Sequence, residues 1–293
     1  MQKFPLQLRL YRKLRHRRGY GVHSPFAFNL ITKVIEEKSA FYIFETIEEI
    51  RSDLLKDNST VSFLTQKGKI KEKTIAQIVE KECKNQKYCS LLFRIINFFL
   101  CKDILEIGGS IGIMGLYLSS ASSKCRCISL ERRSVLAQKS NELIDRLGTK
   151  SLEVSSGDYM QQIKELLDKN KTMDFIFINT SYDAKLCAAI IEECLKLRHE
   201  KTVLVIDGIL KNKKMKGVWN DICSRNCTRL SIDLHSLGLI FFDKKVHKQH
   251  LTTFFDDGKK QNIYKRGRQG LDFFSWRKES FKSSVQIRGL WKR

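Results

Sequence analysis

From Asp103 onward the sequence changes period in a way that few folds accommodate. Short apolar runs at 103–107 (DILEI), 125–130 (CRCISL), 151–155, 173–178 (MDFIFI) and 202–206 (TVLVI) have strand character. Between them, residues 113–120, 134–147, 159–168 and 182–197 carry helical spacing. This alternation predicts an α/β fold on a mostly parallel sheet with helices on both faces. Right-handed crossovers make the sheet doubly wound and leave a ligand crevice beyond the carboxyl ends of its strands. Two further apolar runs, 228–234 and 237–243, are separated only by His235 and Ser236. So short a gap forces an antiparallel terminal hairpin, and the expected sheet has seven strands.

The residues before Asp103 carry helical spacing instead. A basic amphipathic helix is expected over 6–18, interrupted by turn formers at 19–25 (GYGVHSP). Ser24 and Pro25 then open a second helix to about Glu37. Further helices are expected over 40–55, 70–83 and 88–101, with a charged connection at 67–73. We expect a helical extension or lid over 1–100, the ligand-binding α/β domain over 101–258 and a basic tail over 259–293. Phe273, Phe274, Trp276, Phe281 and Trp291 in the tail predict partial docking on the body.

The formal net charge of +22 is unevenly spread. Residues 1–24 hold seven Lys/Arg and no acid, and residues 259–293 hold eleven against two, which leaves the interior at +6. The excess therefore belongs to the ends. No apolar run is long enough for a membrane span, because the best, 89–101, is cut by Arg94 and Asn97. No apolar segment of signal-peptide type follows the basic start. None of the nine cysteines forms a CxxC pair, which predicts buried free thiols in a reducing, cytoplasmic setting.

The sharpest local feature is DILEIGGSIGIMG at 103–115, where three of the five residues after Ile107 are glycine. A glycine turn between a strand and a helix lets backbone approach a ligand at a helix N-terminus. It is not a P-loop, since the Lys-Ser/Thr ending is missing. Glu131 ends the next strand, where an acid accepts both hydroxyls of an adenosine ribose. Gly157 and Asp158 end the third strand, within reach of an adenine edge. Three neighbouring strand ends thus point to a nucleoside cofactor. Glu106, just ahead of the glycines, would repel a pyrophosphate. It suits a cationic amino-acid end, which favours S-adenosylmethionine (SAM) over a nicotinamide dinucleotide.

ILEIGGSIG (104–112), ISLE (128–131), SGD (156–158), DFIFINT (174–180) and VLVIDGI (203–209) together resemble a class I SAM-dependent methyltransferase of the Rossmann-like type. The nearest subgroup is the small-molecule O-methyltransferases related to the catechol and caffeoyl-coenzyme A enzymes. Residues 20–28 (YGVHSPFAF) and 231–255 also resemble a group of bacterial methyltransferase-like proteins. The resemblance implies that Glu106, Gly108, Gly109, Ser110 and Gly112 line the methionine side of the cofactor. Glu131 would hold the ribose and Arg132 flank the adenine, with Gly157 and Asp158 bounding it. Asn179 would face the reactive methyl group.

The departures are equally specific. Metal-dependent members of that group end the fourth strand in an aspartate and the fifth in Asp-Asn, where this chain has Asn179 and Asp207-Gly208. A lone carboxylate and an amide suit Mg²⁺ poorly, so no metal site is expected. The lysine that those enzymes place three residues after the first aspartate is here Tyr182, and metal-assisted chemistry is not carried over. Asp207, Tyr182 and His23 are the candidates for handling a proton or orienting the acceptor.

The expected activity is metal-independent methylation, at oxygen, of a small-molecule substrate. An RNA methyltransferase is the alternative, since the basic termini could grip nucleic acid. Against it, the Asn/Asp-Pro-Pro-aromatic signature of amine methylation is absent and only Pro5 and Pro25 exist. A catalytically degenerate cofactor-binding protein and a homo-oligomer also stay open.

Overall fold

The computed structural model describes Arg12 and residues 22–37, 39–65, 68–180 and 183–255. The predicted helix over 6–18, apart from Arg12, and the whole tail from 259 lie outside these residues, as does Tyr182.

Eight strands form the main sheet: β3 (Asp103–Ile107), β4 (Arg126–Glu131), β5 (Leu152–Ser156), β6 (Met173–Ile178), β7 (Arg198–Asp207), β8 (Leu230–Asp233), β9 (Leu237–Phe241) and β10 (Gln249–Thr252). Their order is β10-β8-β9-β7-β6-β3-β4-β5. β3 to β7 run parallel, and β9 is antiparallel to both β7 and β8. The fold is thus the expected α/β arrangement with an antiparallel hairpin. The eighth strand, β10, extends it parallel to β8. Strand order reverses between β3 and β6, which opens a crevice at their carboxyl ends.

Period-two alternation assigns each strand residue to one of two cores. Phe175, Phe177, Val203 and Val205 enter one cluster, whereas Ile176, Ile178, Leu204 and Ile206 enter the other. Each of these side chains is nearly or fully buried, which is worth roughly 1.5–3 kcal/mol apiece. The second cluster is closed by α7 (Tyr159–Asp168), α8 (Ala184–Cys194) and α9 (Lys213–Ser224). The first is closed by α5 (Ile113–Ser119), α6 (Ser134–Leu147) and the N-terminal layer.

That layer contains α1 (Pro25–Leu30, continued as a π-helical turn to Ile35), α2 (Tyr42–Leu54), α3 (Ile75–Glu82) and α4 (Gln86–Phe99). The expectation that residues 1–100 are helical needs one correction. Thr60–Leu64 (β1) and Ile70–Thr74 (β2) form an antiparallel hairpin, with Val61 opposite Lys73. The helix expected over 70–83 therefore begins only at Ile75. Thr74 starts it through a capping box, accepting from the Gln77 amide while the Gln77 side chain reaches back to Thr74. Two cysteines illustrate the interior: burial pushes the thiols of Cys89 and Cys101 up to about 12, so neither is a nucleophile near neutral pH.

Candidate functional site

Close packing dictates the glycine turn after β3. A Cβ at Gly108 would lie 2.1 Å from the Asn179 carbonyl oxygen, and one at Gly109 would lie 2.0 Å from Ser129 Oγ. The turn is bound to its neighbours, since the amides of Gly108 and Gly109 both donate to the Leu130 carbonyl. Ser110 adopts a left-handed φ of 55°, unusual for a residue with a side chain. Its hydroxyl is buried without a hydrogen-bond partner, and its amide donates to Glu131 Oε2 at 2.7 Å.

A cavity of about 410 Å³ opens over this turn. Its floor includes Gly108, Ser110, Glu131, Arg132, Asn179 and Thr180, and Tyr159 and Leu186 close one side. The opposite wall comes from the N-terminal layer: Phe63 and Lys73 of the β1–β2 hairpin, Lys81 and Glu82 of α3, and Lys84. Of the residues assigned to a cofactor, Gly108, Ser110, Glu131, Arg132 and Asn179 line this space. Glu106, Gly109, Gly112, Gly157 and Asp158 are not among its walls. Asp158 instead caps α7, accepting from the amides of Met160 and Gln161 at 2.9 and 3.2 Å.

Glu106 is fully buried. Ser129 donates to its Oε2 at 2.7 Å, while Oε1 has no partner. Burial outweighs the Ser129 hydrogen bond, and the nearby Glu131 charge adds to it, so the carboxyl is pushed up to about 7. Glu131 is better served. The Arg133 Nε and backbone amide donate to its Oε1 at 2.8 and 3.0 Å, and a guanidinium N–H donates to Oε2 at 3.2 Å. Arg133 also donates to Glu82 at 2.7 Å and stacks 5.1 Å from the centre of the Phe63 ring. This arginine joins the N-terminal layer to the end of β4, and sequence reasoning passed over it in favour of its neighbour Arg132.

The three catalytic candidates separate. His23 is exposed and is not among the cavity walls. Tyr182 lies outside the described residues. Asp207 is buried at the end of β7, and both its carboxylate oxygens have partners. Lys84 Nζ donates to Oδ2 at 2.6 Å and Tyr88 Oη to Oδ1 at 2.7 Å. Neither partner was singled out from the sequence. They sit 123 and 119 residues away, and no local pattern announces such pairings. Lys84 occupies the short turn between α3 and α4, which is fixed on one side by Asn85 accepting from the Tyr88 amide. Among the described residues no three His, Cys, Asp or Glu side chains gather to hold a metal ion, and no helix is long and apolar enough to cross a membrane.

No family model and no curated protein sequence matches the chain. Solved structures do match its fold. An O-methyltransferase from Bacillus cereus in complex with SAH is similar with a TM-score of 0.51 at 17% identity, over 73% of this chain and 96% of that one. The SAH-bound methyltransferase PaMTH1 of Podospora anserina gives 0.54 at 12% identity, over 76% and 97%. TomG of Streptomyces achromogenes, an O-methyltransferase of tomaymycin synthesis solved with SAM, gives 0.51 at 13%, over 74% and 95%. Sheet order and these likenesses agree: the chain has the Rossmann-like α/β fold seen in these methyltransferase structures.

Proposed function

We propose that the protein binds SAM and methylates an oxygen of a small molecule without a metal ion. The observation that carries this reading is the cavity at the strand-order reversal, where Gly108, Ser110, Glu131 and Asn179 meet at three strand ends. Its volume falls within the roughly 300–1,000 Å³ of small-ligand sites. The residues present suit the cofactor. The orphaned Ser110 hydroxyl is a polar group in want of a partner, and Gly108, with no side chain, lines the cavity with backbone that a ligand can approach closely. Glu131 supplies the acid for ribose hydroxyls, which would take over hydrogen bonds now made by Arg133. When bound, SAM supplies an electrophilic methyl group on a sulfonium. The chain's own part is to orient that group toward the Asn179 side and to exclude water with the hairpin and α3. A cavity so walled supports a small acceptor over a nucleic acid strand.

Titration calorimetry with SAM and SAH tests this. Wild type is expected to bind both, and Glu131→Gln to bind roughly 10–100-fold more weakly, as the loss of a charge-assisted hydrogen-bond pair implies. Folded wild type giving no binding heat at millimolar cofactor overturns the proposal.

A further inference from the structure

The ion pair under the cavity is expensive in a way its packing role does not explain. The side chains of Lys84 and Asp207 are only 8% and 4% exposed, and burying two charges costs desolvation that their attraction barely returns. Apolar residues would tie α4 to β7 at least as well. Yet Lys84 lines the same cavity as Thr180 and Asn179, and Asn179 is the residue on the side to which the methyl group is assigned above. Asp207 and Tyr88 hold it there from behind, and its ammonium lies 5.3 Å from the centre of the Tyr88 ring. The same wall is cationic at its rim. Lys71, Lys81 and Arg132 are exposed on it, and the acids among the cavity residues, Glu82 and Glu131, are already paired with Arg133. Such a rim draws anions toward a buried cation.

We propose that Lys84 anchors the methyl acceptor, and that this acceptor is an oxyanion, a phenolate or a carboxylate. The inference rests on the methyl-transfer reading above and names its substrate class. The acceptor oxygen uses a lone pair to form the new O–CH₃ bond, the S–CH₃ bond breaks, and its electron pair goes to sulfur. An anion and a sulfonium become a neutral ether or ester and a neutral thioether, so no proton is moved. Asp207 and Tyr88 are positioning residues: they fix the ammonium, which contacts the acceptor.

The probe is 4-nitrophenol, whose ionised form is coloured, titrated with the SAH-loaded full-length protein. Wild type is expected to bind it saturably and lower its apparent pKa by about one unit, as a cation within contact distance does. The double variant Lys84→Met/Asp207→Asn, which leaves no unpaired buried charge, is expected to keep SAH affinity within a small factor and to lose the shift. Displacement of the probe by benzoate assigns a carboxylate site, and its failure a phenolate site. SAH binding without any pKa shift in wild type, or a shift that survives in the double variant, overturns the proposal. Absence of SAH binding overturns the methyl-transfer reading instead. The same titration on the cofactor-free protein then decides the anion site by itself.

Discussion

Glu106 is a residue whose place in the chain is legible while its surroundings are not. Its position ahead of the glycines marked it as an acid facing the cofactor, but it is enclosed beneath the turn, where a Cβ at Gly109 would come within 3.1 Å of its Oε2. Its folded pKa, about 7, lies above the ordinary 4.5. The stabilisation belongs to the protonated form, so it is complete below about pH 4.5 and is lost as pH rises through 7. Glu106→Gln keeps an acceptor for Ser129 and removes the titration. Its melting temperature is expected to overtake that of wild type between pH 5 and pH 8, with a gain on the order of 3 kcal/mol at the upper end. A difference between the two proteins that is flat across this range contradicts the assignment.

Lys84 lies at the opposite pole of legibility, because nothing within its own stretch of sequence hints at Asp207. Lys84→Met alone leaves a buried carboxylate unpaired and is expected to cost roughly 3–5 kcal/mol in denaturant unfolding. Adding Asp207→Asn should recover most of that loss. The glycines of the turn were legible as glycines, though for a different reason. Gly109→Ala is expected to destabilise the fold by more than about 2 kcal/mol, since its methyl would meet Ser129 and the carboxylate beneath.

Among the elements, the parallel strands were readable because both their faces are buried, and apolar runs bounded by polar turns have few other homes. The β1–β2 hairpin was not. Its β2 strand, IKEKT, is mostly charged and largely exposed, so it shows neither period-two alternation nor an apolar run. Only TVSFL carried a signal, and it sat among helical neighbours. The hairpin is joined to the body through Phe63, whose ring centre lies 5.1 Å from the Arg133 guanidinium, and through the buried Val61. Helix α4 offers a second case. It ends on Leu100, held in the left-handed region at φ 54° and 78% exposed. Leu100→Gly relieves that strain without uncovering core and is expected to stabilise the protein by about 1 kcal/mol in chemical denaturation.

On the scale of the whole molecule, the charge reading changes in one respect. Arg12, part of the basic start, makes a two-pronged ion pair with Asp233 at the end of β8, at 2.9 and 3.1 Å. Some of the positive charge counted at the terminus therefore has a partner within the body. The N-terminal layer also shares its interior with the sheet. Leu30, Ile31, Phe44, Leu91 and Ile95 belong to the same apolar cluster as Phe177, Val205 and Leu239. A chain reduced to residues 101–258 is thus expected to lack cooperative unfolding by circular dichroism, because one face of its sheet is stripped. A sharp melt in that fragment would show the layer to be dispensable.

The contact of Phe26 with Phe241, ring centres 5.5 Å apart, has a consequence for the order in which the protein is made. Phe26 lies on α1 and Phe241 on β9, so this contact closes only after the strands between them have been translated. Until then α1 has only its neighbours in the N-terminal layer to pack on, as Phe26 does on Phe99 with ring centres 5.8 Å apart. Contacts of such long sequence separation slow folding, a cost that the topology sets independent of any chemistry at the site.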